Sequence, residues 1–255
     1  VEADLNFFSK IDGSHASGKA KVSILNNYFK LNFFSKNNKI NITDSNLRNK
    51  DISISFDTLI TTKPFFEIKS DVTIDKINKE FILNFDLKNL LNQKNIIKKL
   101  NSSNTINYTQ KILWNNIIKN HFLRLDLAHG RLNFSNDLII PGGRLECKGD
   151  SILIDEYPRL NFNCNFVLVN SKQFLKKFSL AKNLKKDVQN IEIIGSINIF
   201  NKKINFKKIE VDKNYLAKEE DLRYFKETFE TILFKENFLS IFKKEKIKEF
   251  IAEVI

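Results

Sequence analysis

Apolar and polar residues alternate along most of this chain, and this alternation restricts its fold more than any other feature. Ile52, Ile54 and Phe56 share one parity, and polar residues fill the positions between them. Similar runs recur as far as Ile199. Successive side chains of a strand point to opposite faces, so the pattern predicts strands with one apolar face. We therefore predict a mainly β fold with an antiparallel sheet rather than a parallel α/β sheet.

Turn signals separate these runs at short intervals. They include Asp12-Gly13, Asn37-Asn38, His129-Gly130, Pro141-Gly142-Gly143, Gly149-Asp150 and Asn201-Lys202. Asn, Asp and Gly tolerate the backbone conformations that tight hairpins need. We expect a chain reversal at each of these positions.

Helical spacing appears in three short stretches between the predicted strands. They contain, in order, Leu90, Leu91, Ile97 and Leu100; Leu113, Trp114, Ile117 and Ile118; and Phe174, Leu175 and Phe178, with Ser171 as the expected cap. We interpret these stretches as lids or end plugs on the sheet.

The spacing of apolar residues changes from strand to helix after Tyr215. Acidic residues 219–221 stand where the first turn of a helix favours negative charge, and a break is expected near Asn237. The chain is therefore divided into a β region, residues 1–215, and an amphipathic helical region, residues 216–255. The helical region is expected to pack on the end of the sheet or on a membrane surface.

The chain contains no Met, and we expect it to be an internal or C-terminal piece of a longer protein. Its 42 Lys and Arg residues against 30 Asp and Glu residues give a formal charge of +12. This excess fits either a genome rich in A and T or a functional basic surface. Clustered Arg, or aromatic residues interleaved with basic ones, would indicate nucleic-acid binding, but the 24 Phe residues lie largely on the apolar parity. We therefore expect no nucleic-acid partner.

No arrangement of residues indicates catalysis. The histidines, His15, His121 and His129, stand far apart and lack a nearby ligand at metal spacing. Gly142 and Gly143 are not followed by a phosphate-binding motif. We expect neither an enzyme nor a metal or cofactor site.

Cys147 and Cys164 each have apolar neighbours two residues away, so both are expected on the apolar face. Two interpretations remain open. They are buried free thiols, or they form a cross-strand disulfide in an oxidising compartment.

Three segments resemble the C-terminal region of the AsmA-like family. A strand ends in a Gly-Gly turn and the next strand closes at a Gly within residues 140–150, a Pro precedes a long strand at 157–162, and a short apolar helix follows at 174–178. The alternation in residues 125–134 is also similar to that of the family's strands, and similar sequence extends back to about Gly18.

The resemblance implies a long curled antiparallel sheet with an apolar groove, in a periplasmic protein anchored to the bacterial inner membrane by a segment outside this chain. It also implies a role in outer-membrane homeostasis or lipid transport, with phospholipid or another acyl-chain lipid as the partner. The expected groove-lining residues are Ile52, Ile54, Phe56, Phe66, Ile68, Val72, Ile74, Phe81, Leu83, Phe85, Leu87, Leu160, Phe162, Phe166 and Leu168. The alternative is a closed β-sandwich that serves as a scaffold or interaction module without lipid.

Overall fold

The structure, a computed structural model, describes residues 3–12, 15–78, 80, 87–108, 120–180, 189–234 and 243–254. The strands are β1 (Ala3–Asp12), β2 (His15–Ile24), β3 (Asn27–Lys36), β4 (Lys39–Arg48), β5 (Ile52–Thr61), β6 (Glu67–Ile77), β7 (Asn101–Tyr108), β8 (Asn120–Ala128), β9 (Arg131–Ile140), β10 (Gly143–Ile152), β11 (Arg159–Leu168), β12 (Gln189–Asn198), β13 (Lys203–Val211) and β14 (Tyr215–Leu216). The helices are α1 (Leu87–Asn92), α2 (Lys94–Lys99), α3 (Ser171–Lys177), α4 (Glu219–Leu233) and α5 (Lys244–Val254).

The fourteen strands form one sheet in which spatial order follows chain order from β1 to β14. Neighbouring strands are antiparallel with one exception, the parallel pair of β6 and β7. This arrangement confirms the predicted mainly β fold, with its short helices between strands and its helical C-terminus. The strands end at Leu216 and α4 begins at Glu219.

The parallel pair requires the chain to return along the sheet between β6 and β7, since parallel neighbours cannot be joined by a tight hairpin. Helices α1 and α2 lie in this crossover. They contain Leu90, Leu91 and Ile97, so the helical spacing predicted there is confirmed.

Several predicted turns are present, and their backbone angles explain the residues found there. Asn37 and Asn38 have φ of 50° and 61°, and His129 and Gly130 have φ of 51° and 81°. These left-handed conformations fit two-residue hairpins. Gly149-Asp150 is a wrong prediction, because both residues lie inside β10 and pair with β9 and β11.

Helix α3 is present where apolar spacing predicts it, but its cap is not Ser171. The Asn170 side chain caps the helix by accepting a hydrogen bond from the Gln173 N–H, and Ser171 is already the first helical residue. Asn170 has the extended backbone of an N-cap, which explains its role. The helix expected around Trp114 and the break expected near Asn237 lie outside the described residues.

The cross-strand register divides the sheet into two faces. The apolar face, called the inner face below, can be traced through Gly18, Phe33, Ile42, Thr58 and Ser70, each opposite the next. The outer face carries cross-strand ion pairs such as Arg144 with Asp137 and Lys208 with Glu192. The alternation read from the sequence therefore becomes a physical division of one sheet into apolar and polar surfaces.

Three buried apolar clusters cover the inner face toward the C-terminal end. The first joins α3 and α5 to β9 and β11, the second joins α4 and α5 to β11–β13, and the third joins α1 and α2 to the residues around β8–β12. Within the described residues, every fully buried hydrophobic side chain lies at or after Leu91. The core is therefore concentrated in the C-terminal half.

Candidate functional site: an apolar groove on the inner face

None of the three buried clusters includes a residue from the inner face of β2–β6. Most of its apolar side chains are half-buried rather than buried or fully exposed. We call this surface the open groove. It is lined by Val22, Phe29, Leu31, Phe33, Ile40, Ile42, Leu47, Ile54, Phe56, Ile60, Ile68, Val72 and Ile74.

Two aromatic rings approach each other across the open groove. The rings of Phe29 on β3 and Phe56 on β5 have centroids 6.4 Å apart. Two strands separated by a third lie about 9.5 Å apart on a flat sheet, so these rings converge over β4. Register shifts in the β3–β4, β4–β5 and β5–β6 ladders add local twist and bending here.

Five of the expected groove residues lie together in the open groove. Ile54 pairs with Ile74, Phe56 pairs with Val72, and Ile68 faces the same side opposite Ile60. Ile52, at the start of β5, pairs with Ile77 beside them.

Four further expected residues lie on the inner face but under the protein's own helices. Leu160, Phe162, Phe166 and Leu168 are all on β11, and each packs in one of the three buried clusters. Leu168 is only 2% exposed. In this structure they are core residues of the capped end rather than an accessible lining.

Of the remaining expected residues, neither Phe66 nor Leu87 lies on a strand of the open groove. Phe66 precedes β6 and is 45% exposed. Leu87 is the first residue of α1, so its assignment to a strand is wrong. Phe81, Leu83 and Phe85 lie outside the described residues.

The lining that the sequence analysis missed is on β2–β4. Phe29, Leu31 and Phe33 do alternate with polar residues, so this alternation could have identified the groove lining on β3. In β4 the alternation is interrupted at Asp44, which has φ of 47° and donates its N–H to Asp57. This bulge changes the parity between Ile42 and Leu47, both of which face the groove.

A small polar group interrupts the inner face at β5–β7. The hydroxyl oxygens of Thr58 and Ser70 are 3.0 Å apart, and the Asn104 amide donates to the Ser102 hydroxyl at 3.1 Å. These side chains partly satisfy one another's hydrogen-bonding groups, which lowers the free-energy cost of placing polar groups on an apolar surface.

No residue that the register places on the inner face of β1–β13 carries a formal charge. Among the inner-face residues, His121 comes closest to carrying a formal charge. Burial lowers its pKa, against a smaller opposing effect of its 2.5 Å contact with the Asn136 side-chain oxygen. The floor is therefore suited to hydrocarbon and poorly suited to an ionised ligand.

Cys147 and Cys164 face each other on the inner face and form a disulfide, with Cα atoms 4.0 Å apart. The interpretation as free thiols is therefore wrong, and the cross-strand alternative is correct. The two residues are direct partners on β10 and β11, which is the arrangement that their common parity allows.

Within the described ranges, no group of three His, Cys, Asp or Glu side chains is arranged to hold a metal ion. In the same part of the chain, no helix combines the length and apolarity needed to cross a membrane.

Comparison of the chain with protein-family models, curated proteins and solved structures gives no match.

Proposed function

We propose that this chain binds the acyl chains of a lipid along the open groove and performs no chemistry on them. The observation that carries the proposal is the uncharged, half-buried apolar lining of β2–β6, on which no described helix packs in a buried cluster. A contiguous apolar surface that stays partly accessible to solvent often marks a binding surface.

Hydrocarbon matches this lining better than a polar ligand does. Each methylene that leaves water for such a surface contributes about 0.8 kcal/mol. The groove extends across successive strands, each about 4.8 Å from the next, so an acyl chain lying along it contacts several strands at once. A charged head group has no counter-ion on the floor and remains in water at the edge of the sheet.

The described strands argue against the closed sandwich. A sandwich needs a second sheet facing the first, whereas these strands form one continuous sheet without closure. In the C-terminal half, helices rather than strands cover the apolar face.

The disulfide and the resemblance to the AsmA-like family both support the periplasm as the compartment of this proposed activity. Disulfides persist in oxidising environments such as the bacterial periplasm and are rare in the cytosol. We therefore place the proposed lipid binding in the periplasm, in a protein of the AsmA-like type anchored to the inner membrane and serving the outer membrane.

The test is labelling of the purified chain by a phosphatidylethanolamine that carries a photoreactive diazirine on one acyl chain. Ile42→Asp places a carboxylate on the groove floor, at a cost of several kcal/mol against hydrocarbon, and should strongly reduce labelling. Asn41→Asp is the matched control because Asn41 is exposed on the opposite face of the same strand. It should leave labelling unchanged.

Wild-type protein that takes no label would refute lipid binding. An equal loss of labelling in both variants, with circular dichroism showing an intact sheet, would show that labelling does not report on binding in the groove. Mass mapping of the labelled peptides should place the adduct in residues 22–74.

A further inference from the structure

A separate cleft of about 690 Å³ lies against the outer face, where β6 and β7 run parallel. Pro64 and Phe65, from the loop after β5, flank one side of it, and His129, from the turn after β8, lies on the other. Between them the floor is formed by outer-face residues of β6–β9. With Thr61 at the end of β5, the cleft is therefore built from five strands and two loops, on the side of the sheet opposite the groove.

The charges in this cleft are already paired. Lys69 lies 3.2 Å from Glu67, and Arg124 lies 2.9 Å from Asp126. Ser103 donates a hydrogen bond to Asp126 at 2.5 Å, and this bond, with the Arg124 guanidinium, holds the Asp126 pKa below its usual range. Two cations and two carboxylates leave no net charge from these side chains, so the cleft does not select an ionic ligand by charge.

Unused hydrogen-bonding capacity remains beside these pairs. The Asn133 amide lines the cleft and is exposed to solvent. The Asn101 amide, in contrast, already donates to the Phe66 carbonyl at 3.3 Å. A ligand with several hydroxyl groups offers both the donors and the acceptors that such amides need.

Phe65 supplies a different kind of surface. Its side chain is 74% exposed, although it lines the same cleft as the polar floor. A flat apolar ring beside amide and carboxylate groups suits a ligand with one apolar face and a hydroxylated edge.

We propose that this outer-face cleft binds a neutral carbohydrate. A sugar ring stacks on Phe65, and its hydroxyls exchange hydrogen bonds with the Asn133 amide and donate to the Asp126 carboxylate. The proposal rests on residues of the outer face and is independent of lipid binding in the groove.

The test is saturation-transfer difference NMR and calorimetry of the whole chain with two neutral probes, maltotetraose and the tetramer of N-acetylglucosamine. At least one probe should bind. Phe65→Ala and Asn133→Ala should each weaken that binding by about tenfold. Phe34→Ala is the control, because Phe34 is a 41% exposed phenylalanine on the outer face of β3, away from the cleft, and its loss should not change binding.

Three results would overturn the proposal. The first is that neither tetrasaccharide shows saturation transfer. The second is that both variants bind the sugar as wild type does, which places the sugar elsewhere, and the third is that inorganic phosphate displaces the bound sugar, which makes the cleft an anion site. The circular-dichroism spectra of Phe65→Ala and Asn133→Ala should both match wild type, so that weaker binding by either variant does not reflect a folding defect.

Discussion

The ring of Phe134 lies against the backbone of Gly149, its partner on the neighbouring strand. A Cβ atom placed on Gly149 would be 2.4 Å from Phe134 Cε1 and 1.9 Å from the Asn161 carbonyl oxygen. Gly195 has the same relation to Phe162, whose Cζ would be 2.7 Å from an added Cβ. Phenylalanine and glycine thus alternate across β9–β12 and let rings lie close to the floor.

Gly149→Ala should destabilise the sheet by about 1 to 3 kcal/mol, because the added methyl overlaps both a ring and a backbone oxygen. The direction of the change in stability is informative, since replacing glycine by alanine without a clash normally stabilises a protein slightly. Urea unfolding measures the change. Lys148→Ala, on the exposed face of the same strand, is the control and should change stability little. A Gly149→Ala protein as stable as wild type would contradict the close packing.

The role of Gly149 also shows where the sequence was misleading. Gly149-Asp150 has the composition of a hairpin turn, and a glycine inside β10 is explained only by groups distant in sequence, the ring of Phe134 and the carbonyl oxygen of Asn161. Alternation, in contrast, is a local property, and it correctly predicted most of the described strands and their apolar face, with the run ending at Leu87 as an exception. Which part of that face is accessible depends on helices far along the chain. Leu160 and Ile68 share the same pattern, yet only Leu160 packs in a helix-covered cluster.

The disulfide closes a loop with a sequence separation of 17 residues. Replacing both cysteines by alanine should lower the free energy of unfolding by about 2 to 4 kcal/mol, mainly because the unfolded chain regains freedom. Urea unfolding of the double variant in the absence of reductant gives this difference. Peptide mapping without reduction should find Cys147 and Cys164 in one linked fragment. Two separate thiol-bearing peptides from oxidised protein would contradict the pairing.

His121 should make the stability of the fold depend on pH. Burial holds its folded pKa below the ordinary value of 6.5, so the unfolded chain binds the proton first as pH falls. Stability is therefore fully present above pH 6.5 and declines as pH falls from 6.5 toward the lower folded pKa. His121→Phe removes the titrating group, and its free energy of unfolding should change less between pH 7.5 and pH 5.5 than that of wild type. Equal slopes would show that His121 is not the cause; Asp137, which favours the charged form of His121, stays in both proteins.

Helix α4 protects the last long strand of the sheet through one side chain. Glu230 is 15% exposed, and its carboxylate accepts a hydrogen bond from the Ile204 N–H at 3.0 Å and one from Lys203 Nζ at 2.9 Å. Lys203 is 66% exposed, so its ion pair adds little in water. The backbone contact matters more, because an unpaired N–H on an edge strand is both costly and open to pairing with another chain.

Glu230→Ala should therefore destabilise the protein by about 1 to 2 kcal/mol and increase light scattering on heating. Glu230→Gln keeps an oxygen that can accept from Ile204 and should retain most of the stability. Glu227→Ala, an exposed position on the same helix, controls for the loss of a carboxylate. If Glu230→Gln were as unstable as Glu230→Ala, the charge of Glu230 rather than its contact with the strand edge would be the stabilising element.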